Sequence, residues 1–137
     1  MTFHDLYQQR LQPAAEAVRQ VHDGDLIIVP TGVGEPPTLL TALSAQRRDF
    51  RDVKVSQILA MRKYAYLDPA TTAHVRHVAY FFGGATRAGG QAGWVDFIPN
   101  HFSEIPTQIE RGRIGADVVF SLASPIRRSS RGSTWAQ

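Results

Sequence analysis

The sequence contains no cysteine. Disulfide cross-links, zinc sites built on thiolates and thiol nucleophiles are excluded with it. It also lacks any apolar run near the ~20 residues that span a bilayer, so no membrane partner is expected. The segment Met1 to Arg10 carries an acid early and has no apolar stretch. It does not read as a secretory signal, and a cytoplasmic location is the expectation. Lysine is scarce, present only at Lys54 and Lys63. The formal net charge is +3, but Arg127, Arg128 and Arg131 lie in an acid-free stretch, and without them 12 basic residues balance 12 acidic ones. The basic character belongs to the end of the chain and not to a face of a domain, so no nucleic-acid partner is expected.

What is present suits one packed domain. The chain has 137 residues, 43% of them hydrophobic and 20% charged, enough for a single core. Leu6 to Val21 carries apolar residues at helical spacing, interrupted at Pro13. Leu26–Val29 is a short β-branched run after the turn signal Asp23-Gly24 and reads as a buried strand. Further strands are expected at 53–59, 77–82 and 118–122, and helices at 38–47 and 102–110. The repeated strand–loop–helix–strand order predicts an α/β fold, a mainly parallel sheet flanked by helices. Ligands of such sheets bind at the carboxyl edge, which directs attention to the loops 31–36, 60–66, 83–87 and 123–125.

The first of these loops is Gly32-Val33-Gly34-Glu35-Pro36. Two glycines one residue apart permit positive φ and close approach to the backbone. Free N–H groups beside a helix N-terminus hold a phosphate, a carboxylate or an oxyanion. A tight turn with no ligand satisfies the same residues. The dinucleotide fingerprint fails because Pro37 stands at the third glycine position, and no phosphate-loop lysine follows. His74 and His77 form H-x-x-H without a nearby third ligand, so no metal is expected. Arg87, after Gly83-Gly84 at a strand end, is placed to meet a carboxylate or a coenzyme A phosphate, or to pair with Glu104. Asp96, near Trp94 and Phe97, is expected in a turn closing on the sheet.

From Tyr7 to Pro125 an ordered series of motifs resembles the amino-terminal half of the acetyl-CoA hydrolase/transferase family, which includes 4-hydroxybutyrate and acetate CoA-transferases. The matching pieces are Tyr7-Gln8-Gln9-Arg10-Leu11, the Ala17–Ile27 segment with Gly24-Asp25, and Gly32-Val33-Gly34-Glu35-Pro36. Phe81-Phe82-Gly83 with Arg87 follows, then Asp96-Phe97-Ile98-Pro99 with Phe102-Ser103-Glu104-Ile105-Pro106, Asp117-Val118-Val119 and Ala123-Ser124-Pro125. The resemblance implies movement of coenzyme A between an acyl thioester and a small carboxylate through a glutamyl-CoA thioester. Coenzyme A thioester is then a substrate, and no permanently bound cofactor is implied. It implies oxyanion donors at Val33 and Gly34, with Gly32 making the turn and Glu35 and Pro36 completing the substrate loop. It also implies that the glutamate nucleophile lies in a second half, so no catalytic residue is assigned in this chain.

Two departures stand out. Arg87 to Gly93 contains three glycines, each weakening a helix by ~1 kcal/mol relative to alanine. Residues 126–137 follow no family pattern. The expected organisation is an amino-terminal CoA-transferase-type domain at 1–125 and a basic disordered tail at 126–137, out of frame or truncated. A half without its partner is expected to expose apolar surface and to self-associate as a homo-oligomer. The alternatives are a free-standing α/β module binding a phosphate-bearing small molecule through the same loop, and an inactive truncation product.

Overall fold

The structure, a computed structural model, describes residues 2–123. The expected tail at 126–137, and with it the domain boundary at 125, lies outside the described residues.

Five strands, β1 (Leu26–Val29), β2 (Val53–Gln57), β3 (Val75–Ala79), β4 (Val95–Phe97) and β5 (Val118–Val119), form one sheet in the order β4-β3-β2-β1-β5. Every pairing is parallel. The helices are α1 (Phe3–Arg10), α2 (Ala14–Ala17), α3 (Pro37–Ala45), α4 (Arg87–Ala92) and α5 (Ile105–Glu110). The α/β fold with a parallel sheet is as the sequence predicts.

Register sorts the side chains. Val55 stands beside His77 and Gln57 beside Ala79, so the odd-numbered residues of β2 and β3 share one face. That face carries the main core: Ile27, Val29, Val53, Val55, Val75, Ala79 and Val95 pack with Val18, Leu40 and Leu43 and with Tyr64, Tyr66 and Leu67. The connections from β1 through β4 therefore cover this face. The β4–β5 connection covers the other, where Ile105, Ile109 and Ile114 gather with Tyr80, Ile58 and Ile98.

Five expectations are corrected. The strand read at 53–59 ends at Gln57, the one read at 77–82 spans 75–79, and the one at 118–122 pairs only over 118–119. Ile58 and Leu59 stay apolar after leaving the ladder, so hydrophobicity alone overextends the strand. Asp96 lies in β4 and not in a turn; its carboxylate takes two hydrogen bonds from Arg76 on β3, at 2.6 and 2.7 Å. That contact holds the Asp96 carboxyl below its usual range and raises the Arg76 guanidinium. The helix read at 102–110 begins as a 3-10 turn over 102–104, and α5 starts at Ile105.

The glycines of α4 have a packing reason that outweighs their helix cost. A Cβ on Gly89 would meet Trp94 ring carbons at 2.7 Å and overlap Val95, and one on Gly90 would overlap the Phe82 ring. The absent side chains let α4 lie close against β4. Gly89→Ala gains ~1 kcal/mol of helix propensity and incurs overpacking of ~1–3 kcal/mol. The expected result is a lower urea midpoint for Gly89→Ala and an unchanged one for exposed Gln91→Ala.

Candidate functional site

The strand order places the site. From β1 the sheet grows through β2, β3 and β4 on one side, while β5 returns to the other side. The order reverses at β1, and the crevice outside that point is where ligands of open α/β sheets bind. The loop that leaves β1 at this position is Gly32–Gly34.

The loop turns through Gly32 at φ 64°, a conformation that favours glycine. Gly32–Gly34 then forms one 3-10 turn ahead of α3. The N–H of Gly34 reaches the Thr31 carbonyl only at 3.4 Å, and the N–H of Glu35 donates to Gly32 at 3.2 Å. The N–H groups of Gly32 and Val33 have no acceptor among the described residues. Val33 is 98% exposed at the tip. Pro36 and Pro37 lead directly into α3, whose first turn needs no proline N–H.

The loop is held from three directions. The Thr31 hydroxyl donates to the Leu59 carbonyl at 2.6 Å. After β5, the Leu122 N–H donates to the Gly34 carbonyl at 3.1 Å. The third tie is Glu35. Its side chain is only 5% exposed. One carboxylate oxygen accepts from the Tyr64 hydroxyl at 2.8 Å. The other accepts from Gln57 Nε2 at 2.8 Å and from the Met61 N–H at 3.0 Å. Glu35 makes no side-chain cap on α3. Desolvation, and then Glu35, push the Tyr64 hydroxyl up to about 12.

Tyr64 stacks on Tyr66, and Tyr66 stacks on His77. The Tyr66 hydroxyl and His77 Nδ1 are 3.2 Å apart, and burial raises the Tyr66 hydroxyl well above its ordinary range. His77 lies within β3, 2% exposed, and desolvation lowers it to about 4. His74 binds the Phe50 carbonyl through Nδ1 at 2.7 Å. The two histidines of H-x-x-H thus serve different contacts.

Arg87 opens α4 and is exposed. It makes no ion pair among the described residues, and Glu104 instead accepts from the His101 N–H at 3.1 Å. The pairing of Arg87 with Glu104 is not formed. Met61 and Tyr64 lie in the loop 60–66 where the sequence directs attention, but the hold of Gln57, Met61 and Tyr64 on Glu35 escapes sequence reading because they lie 22, 26 and 29 residues away. The rest of the carboxyl edge presents exposed apolar side chains after successive strands: Met61, Phe81, Phe102 and Leu122.

The chain matches the acetyl-CoA hydrolase/transferase N-terminal domain over residues 1–135. It is 30% identical over 118 residues to 4-hydroxybutyrate coenzyme A transferase of Clostridium kluyveri, covering 86% of this chain and 28% of the relative. It is 32% identical over 120 residues to succinyl-CoA:cyclohexane-1-carboxylate CoA transferase of Geobacter metallireducens, covering 88% and 27%. Among solved structures, RipA from Yersinia pestis superposes with a TM-score of 0.74 at 25% identity, over 87% of this chain and 30% of that one. The 4-hydroxybutyrate CoA-transferase of Porphyromonas gingivalis shares the fold, with a TM-score of 0.53 at 21% identity over 86% of this chain and 26% of that one. The chain spans under a third of the length of these relatives. It belongs to the acetyl-CoA hydrolase/transferase family, whose N-terminal domain its sequence matches and its parallel sheet supports.

Proposed function

We propose that this domain supplies the oxyanion-binding loop of a CoA-transferase or acyl-CoA hydrolase. The substrates are an acyl-CoA thioester and a small carboxylate of the acetate or 4-hydroxybutyrate type. The reaction passes through a glutamyl-CoA thioester whose nucleophile lies outside this chain. Each acyl transfer builds negative charge on the former carbonyl oxygen, and a preorganised backbone donor there lowers the barrier by ~3–4 kcal/mol. The observation that carries this reading is the loop at the strand-order reversal, with its unpaired Gly32 and Val33 N–H groups. Val33 is the better donor of the pair Val33 and Gly34, since Gly34 already leans on Thr31. Arg87, exposed at the start of α4, is the residue proposed to meet the carboxylate or a coenzyme A phosphate, and the exposed apolar edge favours self-association. A cytoplasmic role in acetate metabolism accords with these substrates.

The test uses acetate as the probe. An isotope-labelled sample of the chain is titrated with acetate against chloride at constant ionic strength, and backbone amides are followed by NMR. Saturable shifts at Gly32 and Val33 are expected. Shifts confined to exposed arginines, with the loop unmoved, would remove the basis of the proposal.

A further inference from the structure

The Glu35 carboxylate is buried, yet no lysine, arginine or histidine pairs with it among the described residues. A buried charge without a cation is costly and persists where hydrogen bonds replace its water. All its donors come from one stretch, Gln57 to Tyr64. An ionised carboxylate only accepts, so it matches three donors, whereas a neutral amide would turn an N–H toward one of them.

Gln57 completes the device. Its Nε2 donates to Glu35 at the end of the loop and to the Pro30 carbonyl at the start, at 2.8 and 3.0 Å. The amide orientation is fixed, because the reverse would set its oxygen against two acceptors. A single amide thus gathers both ends of the glycine loop, and the carboxylate ties them to the backbone of Met61.

We propose that Glu35, clasped by Gln57, is a positioning residue that fixes the conformation of the Gly32–Gly34 loop and so aims the Val33 N–H. It does not touch the reacting atoms; it acts through the loop. The consequence for catalysis rests on the oxyanion reading above, while the clasp itself does not.

The full chain is compared with Glu35→Gln, Glu35→Asp and Glu35→Ala by amide hydrogen exchange and by the acetate response of Val33. Protection of Val55 and Val78 reports that the sheet is folded. In Glu35→Gln the Met61 amide is expected to exchange about tenfold faster, with loss of the Val33 acetate shift. Glu35→Asp, which keeps the acceptor charge, is expected to recover part of both. If Glu35→Ala does not fold, the other two variants carry the comparison. An unchanged acetate response at Val33 in a folded Glu35→Gln or Glu35→Ala chain would overturn the positioning role. Loosening at Met61 in a chain whose wild type shows no acetate response would support the clasp and overturn the oxyanion reading instead.

Discussion

Acidification from pH 7 to pH 4 is expected to cost the fold about 3 kcal/mol through His77 alone. Desolvation lowers this residue from 6.5 to about 4. Above 6.5 the imidazole is neutral in both folded and unfolded chains, and it contributes no pH dependence. Between 6.5 and about 4 the unfolded chain takes up a proton that the folded chain refuses, so stability falls as the pH drops through that window. Below about 4 both states are protonated and the loss levels off. Against a typical domain stability of ~5–15 kcal/mol, this is a large fraction. His77→Gln removes the titrating group and keeps a side chain able to accept from Tyr66. Urea unfolding of both proteins at pH 7 and pH 4 should show the wild type losing about 3 kcal/mol more than the variant. Parallel losses would mean that the buried ring takes its proton without opening the fold. The Asp96–Arg76 pair adds acid sensitivity of its own at lower pH, but it is common to both proteins and cancels.

The second large effect concerns turnover. The chain by itself is expected to show no transfer of coenzyme A above background and no covalent thioester adduct. Two glutamates lie within the family motifs at the carboxyl edge, and Glu35 is not free to attack. Glu35 has both oxygens occupied by buried donors. Glu104 closes a capping turn with His101. On the proposed function this domain supplies oxyanion donors and no nucleophile, and such donors alone cannot form a glutamyl thioester. The exposed apolar residues of the same edge mark a surface suited to contact with further protein.

The sheet was largely legible because its central strands are β-branched runs bounded by turn residues, as in Leu26–Val29 after Asp23-Gly24. β4 was not, because three residues with a central aspartate give no apolar period. Its aspartate is there to take Arg76 from β3, a cross-strand contact that spacing does not reveal. Hydrophobicity overextends the strand ends where Ile58 and Leu59 remain apolar for packing and not for pairing. The glycine loop was visible as a place, since strand order and composition agree there. Glu35 was visible as a member of that loop, but its burial depends on residues 22 to 29 positions away. His74 and His77 form a local H-x-x-H in the sequence, and it is the pleat and register that separate them and send His77 into the core beside Tyr66.

The most direct test compares three proteins for transfer of coenzyme A from acetyl-CoA to labelled 4-hydroxybutyrate. They are the chain alone, residues 1–123 joined to the remainder of the Clostridium kluyveri relative in place of its own matching segment, and that chimera with Val33→Pro. The substitution deletes one N–H that has no partner in the fold. The expected result is background rate for the chain alone, turnover for the chimera, and a kcat lower by about 10²–10³ for Val33→Pro with folding intact. Turnover by the chain alone that is abolished by Glu35→Gln or Glu104→Gln would place the nucleophile in this domain. A chimera indifferent to Val33→Pro would show that the glycine loop does not hold the oxyanion.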